Sequence, residues 1–177
     1  MVIQVLVTYF LWLAIFTNRQ QFFGYTQSMM LTYVLLVNIV RTMAGATRTQ
    51  DIGPMIQSGT LSDFLIRPMN FFGFAISRDI ADKSLNVLFA IGEFFLLFVL
   101  FRPPFYLQSN LATLGASGIA LVFSVVIFFE FNLILSLLGF WTHEIWAPRF
   151  ISFVLLEFLG GIMFPLDILP KALATLA

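Results

Sequence analysis

The sequence of 177 residues contains no cysteine, and only 10% of its residues are charged. Without cysteine, the chain can form no disulfide framework, no iron-sulfur cluster and no thiolate zinc site. Nine basic residues balance nine acidic ones, so the excess of Lys and Arg that a nucleic-acid partner requires is missing. Since an ordinary soluble domain has about 25% charged residues, the scarcity of charge excludes most soluble folds and predicts a protein of the lipid bilayer.

Residue types that carry catalysis are also scarce. The one histidine, His143, does not belong to an H-E-x-x-H zinc motif, because Ala147 occupies the position of the second histidine. Residues 115–118 match the G-x-S-G of intramembrane serine proteases, but Ser117 precedes His143 by 26 residues. That separation is about 39 Å on one continuous helix, and a serine nucleophile needs its base within hydrogen-bond reach. We therefore expect no catalytic residue, no metal and no cofactor.

Long apolar runs are what the sequence has in abundance, with 60% hydrophobic residues. Taking about 20 residues as one crossing of the bilayer, they predict an all-α polytopic protein with a single transmembrane domain over residues 1–177. The predicted spans are residues 2–18, 28–46, 84–102, 110–141 and 149–164. The first apolar run would rise only about 22 Å, so we expect the chain to start part-way into a span. The fourth, about 46 Å long, is expected to be one helix that tilts, kinks or projects.

The charges are concentrated between the second and third spans. Eight of the eighteen lie within residues 46–83. If the spans alternate, this loop shares its side of the membrane with residues 142–149 and holds five of eight flanking basic residues. The positive-inside rule then predicts that this side is cytoplasmic.

Two short amphipathic helices are predicted in the cytoplasmic region, residues 47–83. Apolar residues recur at helical spacing after Asp51, with Pro54 in the first turn, where its missing N–H does no harm. Gly59 ends the first helix, and Arg67 and Pro68 end the second. The residues singled out in this element are Ile52, Met55, Ile56, Gly59, Leu61, Phe64, Leu65, Arg67 and Pro68. Such an element can either dock a partner or pack against lipid headgroups and the protein's own spans.

Further along the same region, opposite charges recur four residues apart. Arg78 precedes Asp82, and Asp79 precedes Lys83. This spacing predicts two ion pairs along one helix face.

Three carboxylates, Glu93, Glu130 and Glu157, fall inside the predicted spans, where a charge costs at least about 2.5 kcal/mol at mid-bilayer. Two interpretations stay open for the carboxylates: they line an export path, or they are neutral acids that bond between helices. Asn38 and Arg41 are candidate partners, although Arg41 could instead snorkel to the cytoplasmic end. Glu157 is the leading candidate for the path, because Gly160 and Gly161 follow it and favour a close or broken helix. The polar residues singled out in the spans are Asn38, Arg41, Glu93, Glu130 and Glu157.

The run from Ile56 to Asn70 resembles the segment between the second and third spans of bacterial ABC-2 transporter permeases. After the fifth span, the stretch Pro165 to Pro170 is similar to a proline-bracketed stretch of the same family. The resemblance covers essentially the whole chain and includes residues 33–36 and 140–144. Family members typically have six spans, so this sequence is expected to lack the start of the first and all of the sixth.

The resemblance implies a permease of the bacterial inner membrane that pairs with a second permease, either a copy or a homologue. Two separate ATPase subunits would drive export, and the segment from about Asp51 to Pro68 would couple to them. The absence of G-x-x-x-x-G-K-[ST] agrees, since the chain cannot hold ATP phosphates by that route. Residues 165–177 are expected to form a re-entrant or turn segment on the outer side. Its residues Pro165, Asp167 and Pro170 would serve gating or dimer contact, or form a plain loop. The alternative function is a membrane scaffold that transports nothing.

Overall fold

The computed structural model describes residues 2–17, 21–102, 104, 106, 108–162 and 165–166. The helices are α1 (Val2–Phe16), α2 (Gln27–Gly45), α3 (Ile52–Gln57), α4 (Leu61–Leu65), α5 (Phe71–Phe101), α6 (Leu111–Leu137) and α7 (Trp146–Leu159). Two 3-10 helices, Arg48–Asp51 and Leu138–Phe140, precede α3 and follow α6. Within the described ranges the strands are β1 (Gln21–Phe22) and β2 (Tyr25–Thr26). The predicted all-α membrane fold is confirmed.

Among the described residues, three helices are long and apolar enough to cross a membrane: Gln27–Gly45, Phe71–Phe101 and Leu111–Phe140. The last consists of α6 followed directly by the second 3-10 helix. α1, with 15 residues, and α7, with 14, are shorter, as the brevity of the first and fifth apolar runs led us to expect. Most apolar side chains of α5 and α6 are exposed, which suits contact with lipid or with another transmembrane chain.

The chain divides into two compact units, residues 1–45 with 83–125 and residues 46–82 with 126–177. In the first unit, Val5, Leu35 and Leu97 form a buried cluster that joins α1, α2 and α5. A hairpin with Gln21 opposite Thr26 leads into α2. Its central residues, Phe23 and Gly24, have φ angles of 48° and 83°, the positive values of a type I′ turn. This hairpin was not predicted.

The second unit has a buried cluster of Ile52, Ala75 and Leu133, from α3, α5 and α6. Ile56 and Phe71 pack against it. This unit contains all of the described residues from the predicted coupling segment.

α5 begins earlier than the third predicted span, at Phe71. The Asn70 side chain accepts a 3.1 Å hydrogen bond from the Gly73 amide, which is the interaction of a helix N-cap. Asn70 therefore starts a helix that includes residues 71–83 of the predicted cytoplasmic region and continues without a break into the span.

Candidate functional site

Residues 48–67, which we call the elbow, comprise the first 3-10 helix, α3, α4 and the two residues that follow α4. Thr47 precedes the elbow and its hydroxyl accepts from the Thr49 amide, satisfying an otherwise free helix N–H. Gly59 lies between α3 and α4 with a φ of 76°, a value that favours glycine. Both short helices predicted from the sequence are confirmed, with bounds close to those expected.

The apolar residues of the elbow fall into two sets. Ile52 and Leu61 are only 5% and 8% exposed, and they pack inside the chain. Leu65 and Ile66 are 64% and 84% exposed. The surface available to a partner therefore lies at the end of α4 and includes Ile66, which the sequence analysis did not single out.

Arg67 and Phe64 complete this end of the elbow. The Arg67 guanidinium lies over the Phe64 ring, 5.3 Å from its centroid, a cation-π arrangement. The same ring contacts Phe74 of α5 with centroids 5.2 Å apart. Through Phe64, α4 is thus in direct contact with the first turn of α5. Met55 is half-buried and Pro68 is exposed.

Ion pairs tie the start of the elbow to α5. The Arg48 guanidinium lies 2.6 Å from an oxygen of Asp82, and Arg78 lies 2.9 Å from Asp51. A longer contact of 3.8 Å joins Arg48 to Asp51. The hydrogen bond with Asp82 raises the pKa of Arg48 above its usual value. The sequence spacing predicted that Arg78 pairs with Asp82 along its own helix. Instead, Arg78 pairs with Asp51 of the elbow.

Buried hydrogen bonds connect the elbow to α6 and α7. Ser136 of α6 is fully buried and donates to the Thr49 carbonyl at 2.7 Å. Arg149 of α7 donates to Ser136 Oγ at 3.0 Å and to the Gln50 carbonyl at 3.1 Å. Two elbow carbonyls therefore find their donors on α6 and α7.

Two glycines allow the elbow to approach the end of α6 closely. A Cβ atom added to Gly53 would lie 2.7 Å from Cδ1 of Ile145, and one added to Gly139 would lie 3.2 Å from the Gly53 carbonyl oxygen. Gln57 also donates to the His143 carbonyl at 2.9 Å. No sequence pattern marked these contacts, because they join residues far apart in the chain.

The intramembrane polar residues have different surroundings. Glu93 and Glu157 are half-buried and Glu130 is exposed. One carboxylate oxygen of Glu93, Oε1, is buried and has no hydrogen-bond partner in the described part of the chain. Asn38 uses its amide on the Val34 carbonyl of its own helix, at 2.8 Å. Neither Asn38 nor Arg41 therefore bonds to this Glu93 oxygen.

Four other residues were considered from the sequence: Ser117, Pro165, Asp167 and Pro170. Ser117 donates to the Leu114 carbonyl of its own helix at 2.8 Å. Pro165 is buried, whereas Asp167 and Pro170 lie outside the described residues. Among the described residues, no group of three or more His, Asp or Glu side chains could hold a metal ion.

Comparison with known proteins gives one match. A family model described as "ABC-2 family transporter protein" matches residues 2–177. Neither the curated proteins nor the solved structures contain a match.

Proposed function

The chain belongs to the ABC-2 transporter family, and from this premise we propose that it is the permease subunit of an ATP-driven exporter, coupled to a separate ATPase through residues 47–83. Two ATPase subunits and a second permease, a copy or a homologue, complete the transporter. Its membrane is the inner membrane of a bacterium.

The observation that carries this proposal is a difference between the two ends of the elbow. The end at α4 has exposed apolar side chains, whereas residues 48–53 are held by contacts with α5, α6 and α7. Leu65 and Ile66 are exposed, beside the cation of Arg67. An exposed apolar pair rimmed by charge is typical of a protein docking surface. The α4 end can therefore contact an ATPase while residues 48–53 stay attached to the permease.

The contacts between the elbow and the helices α5 and α6 can transmit motion from the elbow to these helices. Force on α4 reaches α5 directly through Phe64 and Phe74. The same force acting on residues 48–51 reaches α5 through Asp82 and reaches α6 through Ser136. Since α5 and α6 are membrane-spanning helices, a tilt of the elbow becomes a rigid-body or hinge motion of these two spans.

A polar export path within the spans would use the half-buried carboxylates. Glu93 supports this role, because its Oε1 is buried without a hydrogen-bond partner among the described residues. An acceptor in this state is costly to stability, which suits a residue that is retained for transport.

The coupling proposal is tested with Leu65→Asp combined with Ile66→Asp. Because both side chains are exposed, we expect this variant to fold and insert normally, but to lose at least about tenfold in affinity for the ATPase. The measurement is co-purification of the ATPase with the tagged permease, together with ATP hydrolysis by the complex. The ATPase is sought in the adjoining reading frame.

Ser58→Asp is the matched control, because Ser58 is an exposed elbow residue and the change adds charge without removing apolar surface. It should retain the ATPase. Wild-type assembly by the double variant would contradict the coupling proposal and favour the scaffold function.

A further inference from the structure

A cavity of about 330 Å³ lies between α6 and α7 in the second unit. This volume falls at the small end of the range of about 300–1,000 Å³ that is usual for small-molecule sites. Most of its wall is aromatic or aliphatic, with contributions from Phe128, Phe131, Leu135, Phe150, Phe153 and Leu156. Such a wall suits a hydrocarbon chain.

Two polar side chains of the wall already donate hydrogen bonds to backbone carbonyls. Asn132 donates to the Phe128 carbonyl at 2.9 Å, and Ser152 donates to the Pro148 carbonyl at 2.8 Å. Each bond stays within its own helix, α6 for Asn132 and α7 for Ser152. Among the described residues of the wall, Arg149 is the one cation, and it makes the cavity complementary to an anion.

The Arg149 guanidinium lacks a counter-ion in the described part of the chain. Its two hydrogen bonds come from Nη2 and go to neutral acceptors, the Gln50 carbonyl and the Ser136 hydroxyl. Nε is buried and has no hydrogen-bond partner among the residues that the structure describes. Asp51, a nearby carboxylate, pairs with Arg48 and Arg78. A partly buried cation of this kind requires a negative charge from elsewhere.

We propose that this cavity binds an anionic phospholipid, with the phosphate at Arg149 and part of one acyl chain against the phenylalanines. The bilayer supplies this anion and its apolar body together, and basic pockets between transmembrane helices bind anionic headgroups. Arg149 also holds the Gln50 carbonyl of the elbow. Bound lipid therefore stabilises the attachment of the elbow to α7, a role that goes beyond coupling to an ATPase.

The test uses the full chain, purified in neutral detergent, stripped of lipid and mixed with equal amounts of phosphatidylglycerol and phosphatidylcholine. Native mass spectrometry measures which lipid is retained. We expect retention of phosphatidylglycerol to exceed that of phosphatidylcholine by about tenfold. Arg149→Gln should abolish the preference, and Leu135→Trp, which fills the cavity and keeps the charge, should abolish retention.

Matched controls separate the site from general effects. Arg102→Gln removes an exposed cation outside the cavity wall, and Ile151→Trp adds the same ring as Leu135→Trp at an exposed position of α7. Both should retain phosphatidylglycerol as the wild type does. If Arg149→Gln does not fold, Leu135→Trp and Ser152→Phe still test the cavity.

Three results would overturn the proposal. The first is equal retention of the two lipids by the wild type. The second is displacement of phosphatidylglycerol by millimolar inorganic phosphate, which would indicate a free-anion site. The third is unchanged retention by the cavity-filling variants, which would leave a protein carboxylate as the counter-ion. None of these measurements involves the ATPase, so their failure is distinct from failure of the coupling proposal.

Discussion

The backbone N–H of Arg48 donates a 2.9 Å hydrogen bond to Oδ1 of Asp79, 31 residues further along the chain. Asp79 is only 4% exposed, so its carboxylate meets this N–H away from bulk water. The first residue of the elbow is thus attached to α5 by its backbone as well as by the ion pair of its side chain with Asp82. A backbone bond fixes the position of the elbow more closely than a flexible side chain can.

Asp79→Ala should lower the free energy of unfolding by about 1–3 kcal/mol, the usual effect of leaving a buried polar group without its partner. Asp79→Asn retains an acceptor oxygen and should lose less. Asp63→Ala, at an exposed position of α4, is the control and should stay near the wild type. Thermal unfolding in detergent measures all three. Equal melting temperatures for Asp79→Ala and Asp63→Ala would show that the bond to Arg48 contributes nothing.

Gly53→Ala should destabilise the protein, although alanine is the better helix former by up to about 1 kcal/mol. The added Cβ would lie 2.7 Å from Cδ1 of Ile145, and crowding of this kind costs about 1–3 kcal/mol. Ile145→Val removes Cδ1, so the double variant should recover part of the loss. A double-mutant cycle of melting curves measures this coupling.

Gly118→Ala is the control for crowding, because an added Cβ there meets nothing within 4 Å. It should be neutral or slightly stabilising. If Gly53→Ala behaves in the same way, or if Ile145→Val gives no recovery, the close approach of α3 to α7 is not a constraint.

The two short helices of the elbow could be predicted from the sequence because their ends depend on local chemistry. Pro54 is compatible with a first turn, Gly59 adopts a positive φ, and Pro68 prevents continuation. The three long apolar helices could be recognised for a similar reason, since a long apolar run determines its environment. The role of the elbow in coupling came from the family resemblance, because neither the helix-end residues nor the apolar runs indicate a function.

The contacts that attach the elbow could not be predicted. The i,i+4 rule favours Arg78 with Asp82, but the tertiary fold brings Asp51 to 2.9 Å from Arg78. Helical periodicity also placed Leu61 and Leu65 on the same apolar side and did not distinguish between them. In the structure, their exposed fractions are 8% and 64%. Which side of a five-residue helix is buried depends on packing against α5, and single-sequence periodicity does not contain that information.

Single cysteines should report the topology, because the native chain has none and every signal will come from the introduced thiol. Ile66→Cys, at the exposed end of the elbow, should react with a membrane-impermeant maleimide only when the inner face is accessible. Ser109→Cys, exposed between α5 and α6, should react in intact cells. The reverse pattern would place the elbow on the outer face and remove it from contact with an ATPase.

Cysteine-free protein carried through the same labelling gives the background. Leu61→Cys serves as a second control, because its side chain is 8% exposed. It should react slowly from either side. Rapid labelling would show that α4 leaves the body of the protein in the membrane.

Glu93→Leu should raise the melting temperature and lower transport-coupled ATP hydrolysis. The gain in stability follows from removing a buried Oε1 that has no hydrogen-bond partner among the described residues, a cost of about 1–3 kcal/mol. The loss of activity follows if this oxygen faces the export path, since residues kept for function are often unfavourable for stability. Glu93→Gln keeps a polar oxygen of the same size and should melt near the wild type. The measurements are thermal unfolding of the permease and ATP hydrolysis by the reconstituted complex. A lower melting temperature for Glu93→Leu would contradict the view that Oε1 is an unfavourable buried acceptor, and higher stability with full activity would exclude Glu93 from the path.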